Sequence, residues 1–202
     1  FDPSGRLLAK WGTPGSGPGQ FSLPVAIAVD AKGDVYVAEY NNHRIQKFTG
    51  NGGFVTQWGG EGSADGSFAH PFGIAVGTGG EIYVADRDND RIQRFSPTGV
   101  FQLKWGVSGD GNGQFDHPWG VAVDDNGTVF VADSANTRVQ RFTPDGAYQA
   151  QWGVRGTSVG QFQAPFGIAV DGSGYVYVSD EESGRIQKFT GRGAFVTQFG
   201  EP

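Results

Sequence analysis

The chain repeats itself at a constant step of 47 residues: Gly19-Gln20-Phe21 returns as Gly66-Ser67-Phe68, Gly113-Gln114-Phe115 and Gly160-Gln161-Phe162. Phe1, Phe48, Phe95, Phe142 and Phe189 keep the same step, as do Trp11, Trp58, Trp105, Trp152 and Phe199. The 202 residues read as a single repeat domain of four units, approximately 13–59, 60–106, 107–153 and 154–200, with no insertion or deletion; residues 1–12 precede them. A fixed period of this length restricts the chain to architectures in which one supersecondary unit buries its apolar face against the next.

Each unit predicts four short strands. In the first unit Val25–Val29 is apolar and small, which suits an inner position, and the turn Asp30–Gly33 leads to Val35–Ala38. Arg44–Phe48 alternates polar and apolar, and a Gly-ended turn from Thr49 to Gly53 leads to Phe54–Trp58. Period-two patterning between Gly, Asn and Asp turns is the strand signature, and helical periodicity is nowhere sustained. Four antiparallel strands per 47 residues is the spacing of a β-propeller blade. The expectation is an all-β propeller of four four-stranded blades, as a closed ring or as an incomplete arc of a larger propeller.

The run Gly-x-Phe-x-x-Pro-x-Gly-Ile-Ala-Val-Asp, then Val-Tyr-Val-Ala-Asp, then Asn-x-Arg-Ile-Gln-Lys-Phe, resembles the NHL-repeat family across all four units. That resemblance implies a propeller, usually of six blades. Residues 1–12 match a fourth, outer strand with no blade of their own, yet residues 189–200 supply another. A start in mid-repeat without Met fits an excerpt of a longer array, a four-blade ring with a spare strand, or an open arc that pairs with other copies through its terminal strands.

The carboxylate that ends each second strand (Glu39, Asp86, Asp133, Asp180) is followed five residues later by an arginine (Arg44, Arg91, Arg138, Arg185). Repetition in every unit marks these pairs as architecture, expected as bidentate ion pairs. The proline that opens each first strand is likewise structural, since a missing N–H is harmless there. Eight of the 15 Lys and Arg residues sit at repeat positions, the rest are scattered, and the net charge is −6, so no basic face for nucleic acid is visible. No apolar run is long enough to span a membrane. With no Cys, disulfides and thiolate chemistry are excluded. Secretion is the expected location, on the acidic, Gly-rich composition.

Function should lie where the units differ. The second-to-third strand connections and the unit-to-unit connections share one face and vary most. The residue after each proline, Val25, Phe72, Trp119 and Phe166, should ring its centre as a partner-binding rim. Asp86, Asp88 and Asp90 have a spacing that a hard cation such as Ca²⁺ accepts, and His70 and His117 precede the prolines of adjacent units. Both metal sets are incomplete, and no cofactor is expected. No nucleophile–base arrangement stands out, and the constant period leaves no inserted loop to shape a pocket. The expectation is a non-catalytic scaffold for a protein, peptide or glycan; the alternatives are a self-assembling unit and a metal-dependent lyase or lactonase, an activity class drawn from related propellers.

Overall fold

A computed structural model describes residue 1 and residues 3–200. Sixteen strands form four antiparallel four-stranded sheets, each a simple meander in chain order. Blade 1 comprises Pro24–Val29, Val35–Glu39, Arg44–Phe48 and Phe54–Gly59. Blade 2 comprises Pro71–Val76, Ile82–Asp86, Arg91–Phe95 and Phe101–Trp105. Blade 3 comprises Pro118–Val123, Val129–Asp133, Arg138–Phe142 and Tyr148–Trp152. Blade 4 comprises Pro165–Val170, Tyr175–Asp180, Arg185–Thr190 and Phe195–Phe199. Among the described residues the one helical element is a short 3-10 turn at Arg87–Asn89.

Alternation along each strand gives every blade two apolar faces, which explains why the middle strands of blades 1 to 3 are buried on both sides. One face meets the preceding blade and is termed leading; the other meets the following blade and is termed trailing. Tyr36, Ala38 and Ile45 on the trailing face of blade 1 pack against Phe68, Ile74, Ile82, Val84 and Phe95 on the leading face of blade 2. The same pattern joins blades 2 and 3, then 3 and 4. Burying apolar area at these junctions is the main favourable term of the fold.

The first strands lie side by side at the centre, and glycine sets their separation. A Cβ on Gly120 would stand 2.6 Å from the Phe166 carbonyl oxygen, and one on Gly73 would collide with the Trp119 carbonyl oxygen. Gly120→Ala is therefore expected to cost about 1–3 kcal/mol, as overpacking does. Urea titration checks this; an unchanged midpoint would mean that the blades can separate without loss.

Residues 3–12 belong to no strand. The outer-strand expectation for this segment does not appear in the structure because an outer strand needs a third strand beside it, and none is there. Trp11 alone keeps the side-chain position of the outer strand, 4.6 Å from the Phe48 ring and 6.0 Å from Phe21.

Candidate functional site

The repeated carboxylate–arginine pairs hold the loops that join blade to blade. Arg44 Nε donates to Glu39 at 2.6 Å, and Arg91 and Arg138 Nε donate to Asp86 and Asp133 at 2.7 Å. These contacts are single, not bidentate. The terminal nitrogens of Arg138 donate instead to the backbone carbonyls of Asp110, Gly111 and Gln114, at 2.6, 2.9 and 2.9 Å. Arg91 grips Ser63, Ala64 and Ser67 in the same way. Three loop carbonyls thus take the donors that a second carboxylate contact would need. The freed carboxylate oxygen accepts a loop N–H, from Ala69 to Asp86 and from Asp116 to Asp133. Burial pushes the Asp86 and Asp133 carboxyls up, against the opposing pull of these hydrogen bonds. In blade 4 the pair is looser: Arg185 Nε stands 3.7 Å from Asp180, whose Oδ1 is shared by the N–H groups of Gln163 and Ala164.

These clamps bring the variable positions of three blades together on one face. Phe72, Trp119 and Phe166 form a single ring cluster, with centroids 4.8 Å (Phe72–Trp119), 4.3 Å (Trp119–Phe166) and 5.2 Å (Phe72–Phe166) apart. All three stay half-buried, as does Val25, which lines the central cavity below them without joining the ring cluster. The Arg87 guanidinium lies 5.1 Å over Trp119 and donates to the Tyr40 hydroxyl at 3.1 Å and to Asp88 at 2.7 Å. Tyr40 stacks on His70 at 4.2 Å and meets Phe72 edge-on at 6.3 Å. A cation over an indole face is favourable, more so as water is excluded.

Asp88 is the hub of the histidines. His70 Nδ1 lies 2.7 Å from its Oδ2, and His117 Nε2 lies 3.8 Å from its Oδ1. His70 and His117 both have left-handed backbones, with φ of 52°. The preceding blade supports each: His70 N–H donates to His43 Nδ1, and His117 N–H to Asp90 Oδ1. The carboxylates of Asp86, Asp88 and Asp90 point to separate partners. Asp86 is fully buried under Arg91, Asn89, Gln93 and the Ala69 N–H. A different trio has ligand atoms within 4.8 Å of one another: Asp90, Asp116 and His117.

Sequence reasoning singled out the rim aromatics but missed Tyr40 and Arg87. Both occupy the position just after the second-strand carboxylate, where the four units read Tyr40, Arg87, Ser134 and Glu181. Variation at an otherwise regular site was the available signal.

The NHL-repeat family model matches residues 21–48, 68–95 and 115–142, the stretch from loop to third strand in blades 1 to 3. A 46-residue stretch is 50% identical to the human E3 ubiquitin-protein ligase TRIM32, covering 23% of this chain and 7% of that protein. Another, of 45 residues, is 49% identical to the B-box type zinc finger protein ncl-1 of Caenorhabditis elegans, covering 22% of this chain and 5% of that one. Among solved structures, a streptogramin B lyase superposes with a TM-score of 0.67 at 20% identity, over 87% of this chain and 54% of that one. A catalytically inactive virginiamycin B lyase from Staphylococcus aureus gives 0.69 at 18%, over 94% and 58%. A gluconolactonase from Xanthomonas campestris gives 0.63 at 19%, over 87% and 61%. These likenesses carry the fold, and the chain spans little more than half of each lyase structure. The chain thus carries NHL-repeat matches at three positions, on four meander blades of β-propeller architecture.

Proposed function

We propose that the chain is a non-catalytic binding module that presents its central patch to a protein or peptide partner. The carrying observation is the half-buried cluster of Phe72, Trp119 and Phe166 under Arg87. Aromatic side chains and arginine at the centre of a patch are what dominate protein interfaces. Beside the cluster lies a cavity of about 340 Å³, where Arg87 and Arg155 face Glu181 and Glu182. Donors and acceptors of both signs suit a peptide segment and disfavour a polyanion. Single-repeat similarity to an E3 ubiquitin-protein ligase supports a protein partner.

Selection of displayed random peptides against the wild-type chain tests this reading. Enriched peptides are expected to lose at least about tenfold in affinity with Trp119→Ala or Arg87→Ala, the size of a hot-spot loss. Retained affinity in both variants would overturn the assignment of the patch; glycan-array binding without peptide binding would change the partner class.

A metal-dependent lyase or lactonase is the second reading. It draws on the Asp90, Asp116 and His117 trio and on the likeness to lyase folds. Divalent metal retained through dialysis, and lost with His117→Ala, would favour it.

A further inference from the structure

The third unit breaks the repeat at one place on the central face. After the second-strand carboxylate, units 1, 2 and 4 carry the long pairs Tyr40-Asn41, Arg87-Asp88 and Glu181-Glu182, whereas unit 3 carries Ser134-Ala135. Two short side chains leave space there, and the cavity of about 340 Å³ beside the aromatic cluster opens over them. Ligand cavities run from about 300 Å³ upward, so this one is of a size for a single long side chain. Its walls come from three blades: Arg87 from blade 2, His117 and Trp119 from blade 3, and Glu181 and Glu182 from blade 4.

The charges on those walls are unequal. Arg87 is already neutralised, since it donates to Asp88 at 2.7 Å. Glu181, Glu182 and Arg155 are exposed and have no ion-pair partner among the described residues. Two free carboxylates thus share the cavity with one free cation. The loop that carries the carboxylates is held in place: Glu181 N–H donates to the Ala164 carbonyl and the Ser183 hydroxyl to the Gln163 side chain, both at 3.0 Å. The surrounding face has the same sign. Between residues 13 and 184, its second-to-third strand and blade-to-blade connections hold eight carboxylates and two arginines. One of the eight, Asp65, is paired with Lys104.

We propose that the partner presents a basic side chain, an arginine or a lysine, to this cavity. Its apolar stem runs along Trp119 and Ala135 while its charged end meets Glu181 and Glu182. A bound cation also offsets the repulsion between two adjacent carboxylates. The inference rests on the proposed binding of a protein or peptide and adds the charge of the partner.

The displayed-peptide selection supplies the probes. Enriched sequences are expected to share one Arg or Lys position. A synthetic consensus peptide, and a twin with Gln at that position, are titrated by fluorescence anisotropy against the wild-type chain and four variants. The Gln twin is expected to bind at least about tenfold more weakly, as when one partner of a close charge pair is removed. The double variant Glu181→Gln with Glu182→Gln is expected to lose as much for the basic peptide and nothing for the twin. Ala135→Phe fills the cavity without altering charge and is expected to abolish the preference for the basic peptide. Arg155→Gln removes the free cation and is expected to bind the basic peptide at least as tightly as the wild type. Glu61→Gln, on the same face but outside the cavity, is expected to shift affinity by less than about twofold, as a screened exposed charge does. All four variants change exposed side chains, so they should retain wild-type circular dichroism. Equal binding of the basic peptide and its twin, or of the double variant and the wild type, would overturn this inference and leave the binding module standing. A loss with Glu61→Gln as large as that of the double variant would overturn the cavity as the seat. A selection that enriches no peptide would overturn the binding reading, and this inference with it.

Discussion

Arg138→Ala is expected to lower the free energy of unfolding by about 3–5 kcal/mol, because removing one partner of a buried pair strands the other. The Asp133 carboxylate is fully buried and would keep the Asp116 N–H, Asn136 and Gln140 as donors but lose the cation it pairs with. Three loop carbonyls, those of Asp110, Gly111 and Gln114, would lose their donor as well. Total stability of a domain is about 5–15 kcal/mol, so the loss is a large part of it. Arg138→Lys should recover only part, since an ammonium restores charge but not the fork that spans carboxylate and loop. Arg185→Ala should cost less than Arg138→Ala, because Arg185 Nε stands 3.7 Å from Asp180 and contributes no hydrogen bond there. Urea denaturation of the three variants gives the order. Equal stability of Arg138→Ala and the wild type would remove the clamp as a source of stability.

The second large effect is in the junction core. Phe142→Ala is expected to cost about 3–5 kcal/mol, the range for deleting a fully buried ring. Phe142 sits on the leading face of blade 3 with ring centroids 5.5 Å from Phe115, 5.8 Å from Trp105 and 6.1 Å from Tyr148. Trp105 comes from the outer strand of blade 2, so the cavity would open between blades and loosen both. For a chain of about 200 residues, each kcal/mol lowers Tm by about 2–4 °C. Phe199→Ala is the matched control: its ring is mostly exposed at the free end, and its expected change in monomer stability is within about 0.5 kcal/mol. If both variants melted alike, stability would not depend on junction burial.

Much of this was legible in the sequence. The 47-residue step located the strands, their turns and the prolines that open each blade. The carboxylate–arginine pairs were legible as architecture because they recur; their geometry was not. Whether a guanidinium takes two oxygens of one carboxylate or shares itself with three carbonyls depends on where a loop of remote residues lies. The rim aromatics Phe72, Trp119 and Phe166 were legible as a set, and Val25 with them, although Val25 stands apart from the ring cluster. Tyr40 and Arg87 were hidden among ordinary turn residues.

The sequence by itself determined the local order: strand, turn, strand, and the alternation that gives each blade two apolar faces. Those features follow from backbone preferences and side-chain spacing over a few residues. Only the tertiary structure decided that Asp88 gathers His70, His117 and Arg87, and that Asp90 meets Asp116 while parting from Asp86. It alone set the Arg87 guanidinium 5.1 Å over Trp119. Such meetings depend on the rotation from one blade to the next, which side-chain packing across whole junctions sets and no short stretch of sequence encodes.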